Sequence, residues 1–158
     1  MSYFLDRIVY ATELEPDDAR VFRHAVGLAR QFDAKLHVIT VAKGRDQPRI
    51  DDYLSHEEIA RLHADAADAL HVRLESRIDA FCTANPDLDA RGVIAELHVR
   101  DGDAAAQILA LAGRVGAGMI VLGSHGHSPL GEMLIGSVAH TVLVRSRVPV
   151  LLVPINTH

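Results

Sequence analysis

Met119-Ile-Val-Leu-Gly-Ser-His-Gly126 is an apolar run broken by two glycines, and after nine more residues the chain reads Gly136-Ser137 ahead of a helical pattern. A strand, a glycine-punctuated loop and a helix start are the parts of an anion site. Glycine lets backbone N–H groups approach a phosphate with no Cβ in the way. The N–H groups of a helix's first turn, together with its dipole, favour negative charge. Ser137 adds a hydroxyl at that start. The segment reads as a phosphate-binding loop, whereas other phosphate motifs fail on spelling. No G-x-x-x-x-G-K-[ST] supplies a P-loop lysine, and no G-x-G-x-x-G follows the first strand.

Working outward, strands alternate with helices. Ile8 to Thr12 reads as a buried strand, and Pro16-Asp17-Asp18 opens a helix with Phe22, Ala25, Val26 and Ala29 on one face. Leu36 to Ala42 makes a second strand, and the polar stretch Gly44 to Asp52 is the longest expected loop. Ser55-x-x-Glu58 spells a capping box. Ile59, Leu62, Ala66, Leu70, Leu74, Ile78 and Phe81 then follow at helical spacing until Asn85-Pro86 discourages continuation. Val93 to Val99 is a third strand. Asp103 caps the next helix, whose stripe is Ile108, Leu109, Ala112 and Val115, with Gly116 and Gly118 ending it. Met119 to Leu122, Ser137 to Arg145 and Val150 to Val153 are the fourth strand, the fourth helix and the fifth strand. This order implies right-handed crossovers and a mainly parallel α/β sheet covered on both faces, in one domain spanning 1–158. Ligands in such sheets sit beyond the carboxyl ends of the strands. That singles out the segments after the first and fourth strands.

Gly123-x2-Gly126-x9-Gly136-Ser137 resembles the G-x2-G-x9-G-[ST] motif of the nucleotide-binding branch of the universal stress protein family. The opening Arg7-Ile-Val-Tyr-Ala-Thr12 resembles the family's first strand, and Ser137-Val-Ala139 with Val148-Pro-Val-Leu-Leu-Val153 resembles its ending. The likeness implies a five-stranded sheet of order 3-2-1-4-5, of the adenine nucleotide alpha-hydrolase-like type. It also implies binding of ATP or another adenine nucleotide, Mg2+ carried by the phosphates, and a homodimer joined through the C-terminal strand. On this reading Gly123, Gly126, Gly136, Ser137 and the backbone N–H of Val138 cradle phosphate, with His125 facing it. Ala11, Thr12 and Glu13 line the ribose and base side, and the backbone of Val41 meets the adenine edge. Two positions depart from the family's pattern. Glu13 stands where aspartate is usual, and His127 stands where arginine is frequent, exchanging a permanent charge for one that titrates near neutrality.

Composition sets bounds on the rest. The chain has 158 residues, 49% hydrophobic and 23% charged, an ordinary globular balance. A net charge of −5 opposes a general nucleic-acid surface. Cys82 is the single cysteine and reads as a small apolar residue on a helix face. No signal-peptide core or membrane-length apolar run is present, which fits a cytoplasmic protein. Ten histidines raise the question of a metal, but H-E-x-x-H is missing and their spacing gives no metal motif. Ser124-His125 lacks a G-x-S-x-G elbow, which opposes a serine hydrolase. With no P-loop lysine or arginine finger, efficient phosphoryl transfer is not expected. The expected function is a nucleotide-binding regulatory or stress-response protein. The alternatives are a nucleotide-independent dimeric interaction module and a slow ATPase.

Overall fold

The computed structural model describes residues 4–43, 54–124 and 135–155. The expected loop Gly44 to Asp52 lies outside them. Five strands, β1 (Arg7–Ala11), β2 (Lys35–Lys43), β3 (Ile94–Gly102), β4 (Met119–Gly123) and β5 (Val150–Val153), form one sheet of order β3-β2-β1-β4-β5. All four pairings are parallel. The α-helices among the described residues are α1 (Asp18–Phe32), α2 (His56–Ala84), α3 (Ala90–Val93), α4 (Ala104–Val115) and α5 (Ser137–Arg145).

Alternation along each strand divides the core into two layers. Ile8, Tyr10, Leu36, Val38 and Val121 face α1 and α2, where they meet Phe22, Ala25, Val26, Leu74, Ile78 and Phe81. Val9, Ile39, Ile120 and Leu122 face α4 and α5, where they meet Ile108, Leu111, Ala112, Ala139 and Val142. Phe22 stacks on Tyr10 at 5.3 Å and tilts against Phe81 at 4.6 Å, tying α1 to both the sheet and α2. Cys82 packs at the border of this layer as a free thiol.

The caps follow their spelling. Ser55 Oγ accepts the N–H of Glu58 at 3.2 Å while Glu58 returns a carboxylate to the N–H of Ser55 at 2.8 Å. The Asp103 carboxylate accepts the N–H of Ala106 at 2.9 Å. Gly116 closes α4 with φ +66°, a left-handed conformation that glycine adopts without a Cβ penalty.

Three expectations shift. The third strand begins at Ile94, because Pro86–Leu88 forms a 3-10 turn and Ala90–Val93 a short helix, and it runs on to Gly102. The helix opened by Pro16-Asp17-Asp18 starts at Asp18, with Asp17 at the N-cap and no side-chain cap hydrogen bond. The apolar stripe of α2 is buried only at its end, at Leu74, Ile78 and Phe81, while Leu62 is 50% exposed. Length explains this: 29 residues of helix run about 44 Å, whereas nine residues of strand run about 30 Å. The first half of α2 therefore overhangs the sheet, held by its cap more than by its core contacts. Ser55→Ala should increase amide exchange over the first turns of α2 while shifting the global unfolding midpoint little. A cooperative loss of about 1 kcal/mol in the whole fold would show instead that the overhang is coupled to the core.

Candidate functional site

Parallel pairing of β1 with both β2 and β4 brings three strand ends to one edge of the sheet. A cleft of about 500 Å³ opens there. Ala11, Thr12 and Glu13 line it from the end of β1, Val41 from β2, Gly123 from β4, and Gly136, Ser137 and Val138 from the start of α5. Every described residue singled out from the sequence thus reaches one cavity. His125, Gly126 and His127 lie outside the described residues.

At the α5 end, Gly136 occupies the N-cap with extended backbone (φ −65°, ψ 162°) and no side chain over the helix start. The N–H groups of Ser137 and Val138 belong to the first turn, which has no intrahelical acceptors. Gly123 is glycine for a different reason. A Cβ there would lie 2.6 Å from Ile155 Cδ1 and 3.0 Å from Val21 Cγ2, so the residue is small because the chain end packs over it. Ser124 fixes that chain end. It is fully buried, its N–H donates to Val153 O at 2.9 Å, and its Oγ accepts the N–H of Ile155 at 2.9 Å. A hydroxyl so occupied is a structural tether, in line with the missing hydrolase elbow.

At the β1 end, the polar groups are largely turned inward. The Thr12 hydroxyl donates to the carboxylate of Asp18 and accepts the N–H of Leu14 at 3.0 Å. The same carboxylate accepts the N–H of Glu13 at 3.1 Å. Leu14, buried at 3% exposure, takes a left-handed φ of +62° that branched side chains rarely adopt. Its carbonyl accepts Arg77 Nη2–H from α2 at 2.8 Å, and Glu15 O accepts Nη1–H at 3.4 Å. Burial raises the carboxyl of Asp18 above its ordinary pKa, opposed by the hydrogen bonds from Thr12, Tyr10 and the backbone of Glu13 and Leu14. Burial, and next the charge of Asp18, push the Tyr10 phenol well up.

Sequence spacing did not single out Asp17, Asp18 or Arg73, all of which line the cleft. Arg73 is the one basic side chain among the described lining residues, which also include Glu13, Glu15, Asp17 and Asp18. Position 73 lies on the polar side of the α2 pattern, one turn before Arg77, whose guanidinium meets the carbonyls of Leu14 and Glu15. The fold also gathers His37 of β2 with Glu96 and His98 of β3, a juxtaposition with no signature in the spacing of the histidines.

The profile of the Universal stress protein family matches residues 5–154, and the chain belongs to that family. Universal stress protein YxiE of Bacillus subtilis is 46% identical over 63 residues, covering 40% of this chain and 43% of that protein. A universal stress protein solved in complex with cAMP is 20% identical with a TM-score of 0.58, covering 98% of this chain and all of that one. The universal stress protein of Archaeoglobus fulgidus, solved in complex with dAMP, is 21% identical with a TM-score of 0.56, covering 96% of this chain and 98% of its own. At that identity the two structures establish the fold alone. No helix among the described residues is long and apolar enough to cross a membrane.

Two outcomes test this geometry. Gly123→Ala must displace Ile155 and Val21 and should cost about 1–3 kcal/mol, with Ile155→Ala in the same chain recovering part of the loss; a neutral Gly123→Ala refutes the close packing. For Asp18 the sign runs from its raised folded pKa. Ionised Asp18 costs stability above that value, and the cost is relieved as pH falls through it toward the unfolded value. Asp18→Asn removes this contribution, so its melting temperature relative to wild type should be higher at about pH 7 than at about pH 4. An equal difference at both pH values would mean that the carboxyl titrates normally.

Proposed function

We propose that this chain is an adenine-nucleotide-binding regulatory module of the stress response, acting in the cytoplasm as a homodimer. The observation that carries the reading is the convergence of Ala11, Thr12, Glu13, Val41, Gly123, Gly136, Ser137 and Val138 on one cleft. Relatives of the same fold solved with cAMP and dAMP support an adenosine-type ligand.

Charge orients the ligand. Glu13, Glu15, Asp17 and Asp18 crowd the β1 side, where a phosphate would be repelled but ribose hydroxyls would find acceptors. The phosphates belong at the other end, on Gly136, Ser137 and the N–H of Val138, with Gly126, His125 and His127 of the intervening loop. The backbone of Val41 and the apolar walls of Ile39, Leu122 and Ile108 suit the base. ATP is the proposed ligand, with Mg2+ brought by its phosphates rather than held in a protein cage. Thr12, Glu13 and Asp18 already hydrogen-bond among themselves, so this wall is ordered before a ligand arrives. The proposed role is binding rather than efficient turnover, because the chain carries no P-loop lysine. Dimerisation is proposed through β5, a sheet-edge strand beside the exposed Val144 of α5.

The test is calorimetric titration of ATP, ADP, AMP and cAMP into wild type and Gly136→Val, with mass spectrometry of nucleotide released on denaturation. Micromolar ATP binding weakened at least tenfold by the substitution is expected, as is a dimer mass at micromolar concentration. Absence of every nucleotide, bound or released, would overturn the reading and favour an interaction module. Phosphate release lost in Gly136→Val would identify a slow ATPase.

A further inference from the structure

β2 and β3 change register between Leu36 and His37: Leu36 pairs with Ile94, but His37 pairs with Glu96. The extra residue, Ala95, turns the following side chains of β3 to the opposite face, as bulges do. Glu96, His98 and Arg100 consequently share a face with His37, Ile39 and Val41. His37 Nδ1 lies 3.1 Å from His98 Nε2, and His98 Nε2 lies 3.7 Å from Glu96 Oε2. All three ligand atoms fall within 4.8 Å of one another.

We propose that His37, Glu96 and His98 form a binding site for a zinc ion. Zinc–nitrogen and zinc–oxygen bonds of about 2.0–2.1 Å place neighbouring tetrahedral ligands about 3.3 Å apart, close to the two separations between these atoms. Two imidazoles and one carboxylate suit zinc, whereas magnesium and calcium require a set of oxygens that is not gathered here. His98 is 4% exposed and Glu96 reaches solvent, so the ion has a buried anchor and an open approach with one coordination position left for water. Burial lowers both imidazoles below their ordinary pKa and so favours the neutral, metal-binding form, while the charge of Glu96 opposes this.

The surroundings decide the strength of the site. Arg7 acts on His37, and Arg100 and Arg114 act on His98, each as a cation that opposes a second one. Arg100 Nη2 also lies 3.4 Å from His98 Nδ1. Without metal, Nδ1 accepts from Arg100 and the proton sits on Nε2, directed at His37. Metal binding moves that proton to Nδ1, and the Arg100 side chain turns away. Zinc would join edge strand β3 to β2. It would sit beside Ile39 at the near end of the cleft wall, but none of its three ligands lines the cleft, so this inference stands whether or not a nucleotide binds.

The test uses the tag-free full chain stripped with chelator and free of nucleotide. Zinc affinity is measured by competition with a chromophoric chelator, and cobalt is substituted to read its visible absorption. One equivalent of zinc should bind at micromolar or tighter affinity, with a tetrahedral cobalt spectrum and a raised melting temperature. His37→Gln and Glu96→Gln, both at partly accessible positions, should each weaken that equivalent at least tenfold, while Arg100→Ala should tighten it. His98→Gln tests the buried ligand, and circular dichroism checks that each variant folds. No micromolar zinc binding, or an equivalent unchanged in His37→Gln and Glu96→Gln and so held by other histidines, would overturn the proposal.

Discussion

The parallel pairing of β1 with β4, in the register Ile8–Met119, Val9–Ile120 and Tyr10–Val121, is the constraint on which the cleft depends. These strands are more than a hundred residues apart in sequence, and each is buried on both faces. With β2 on the other side of β1, the chain leaves the sheet in opposite directions across this junction, which opens a crevice at its carboxyl edge. A side chain cannot be added there freely. Gly123 is hemmed in by Ile155 and Val21, and Ser124 anchors the chain end that does the hemming. The last described residues therefore shape the floor of the cleft, although they follow the final strand.

The β1–α1 segment shows how a strained wall is stabilised. Leu14 is held at φ +62° with its side chain buried, a conformation that costs about 1–2 kcal/mol for a non-glycine residue. Three contacts offset that cost: the Thr12 hydroxyl on the Leu14 N–H, the Asp18 carboxylate on the Glu13 N–H, and Arg77 on the Leu14 carbonyl. Arg77 belongs to α2, so the helix that overhangs the cleft also fixes its wall.

The features legible in the sequence were those whose signal is local. The capping box at Ser55 and the cap at Asp103 each depend on residues within a few positions, and each stands where that chemistry placed it. The strand order came through family likeness rather than periodicity, because pattern alone does not say which buried strands are neighbours. What stayed hidden depends on distant geometry. Arg73 enters the cleft because α2 packs beside the β1–α1 segment, which tertiary structure alone brings about. Asp18 reads as an ordinary first-turn acid until the loop before it folds back. The partial burial of α2 is hidden for a related reason: periodicity states which side of a helix is apolar, not how much of it meets a partner.

The register change at His37 carries the same lesson further. Without it His98 would face α1 and α2 with Leu36 and Val38, and no histidine pair would form. One inserted residue in a parallel ladder moves an imidazole from an apolar layer to the neighbourhood of another imidazole and a carboxylate. The insertion leaves Ile39 and Val41 on the same face, so the base of the sheet acquires a polar cluster without disturbing the cleft at its top. Burying a polar ring such as His98 requires partners for its nitrogens, and here both nitrogens have them. The cluster is thus stable as a hydrogen-bonded pair in the absence of metal. A metal ion must compete with that pair, which makes the position of Arg100, rather than the distance between ligands, the main control on affinity.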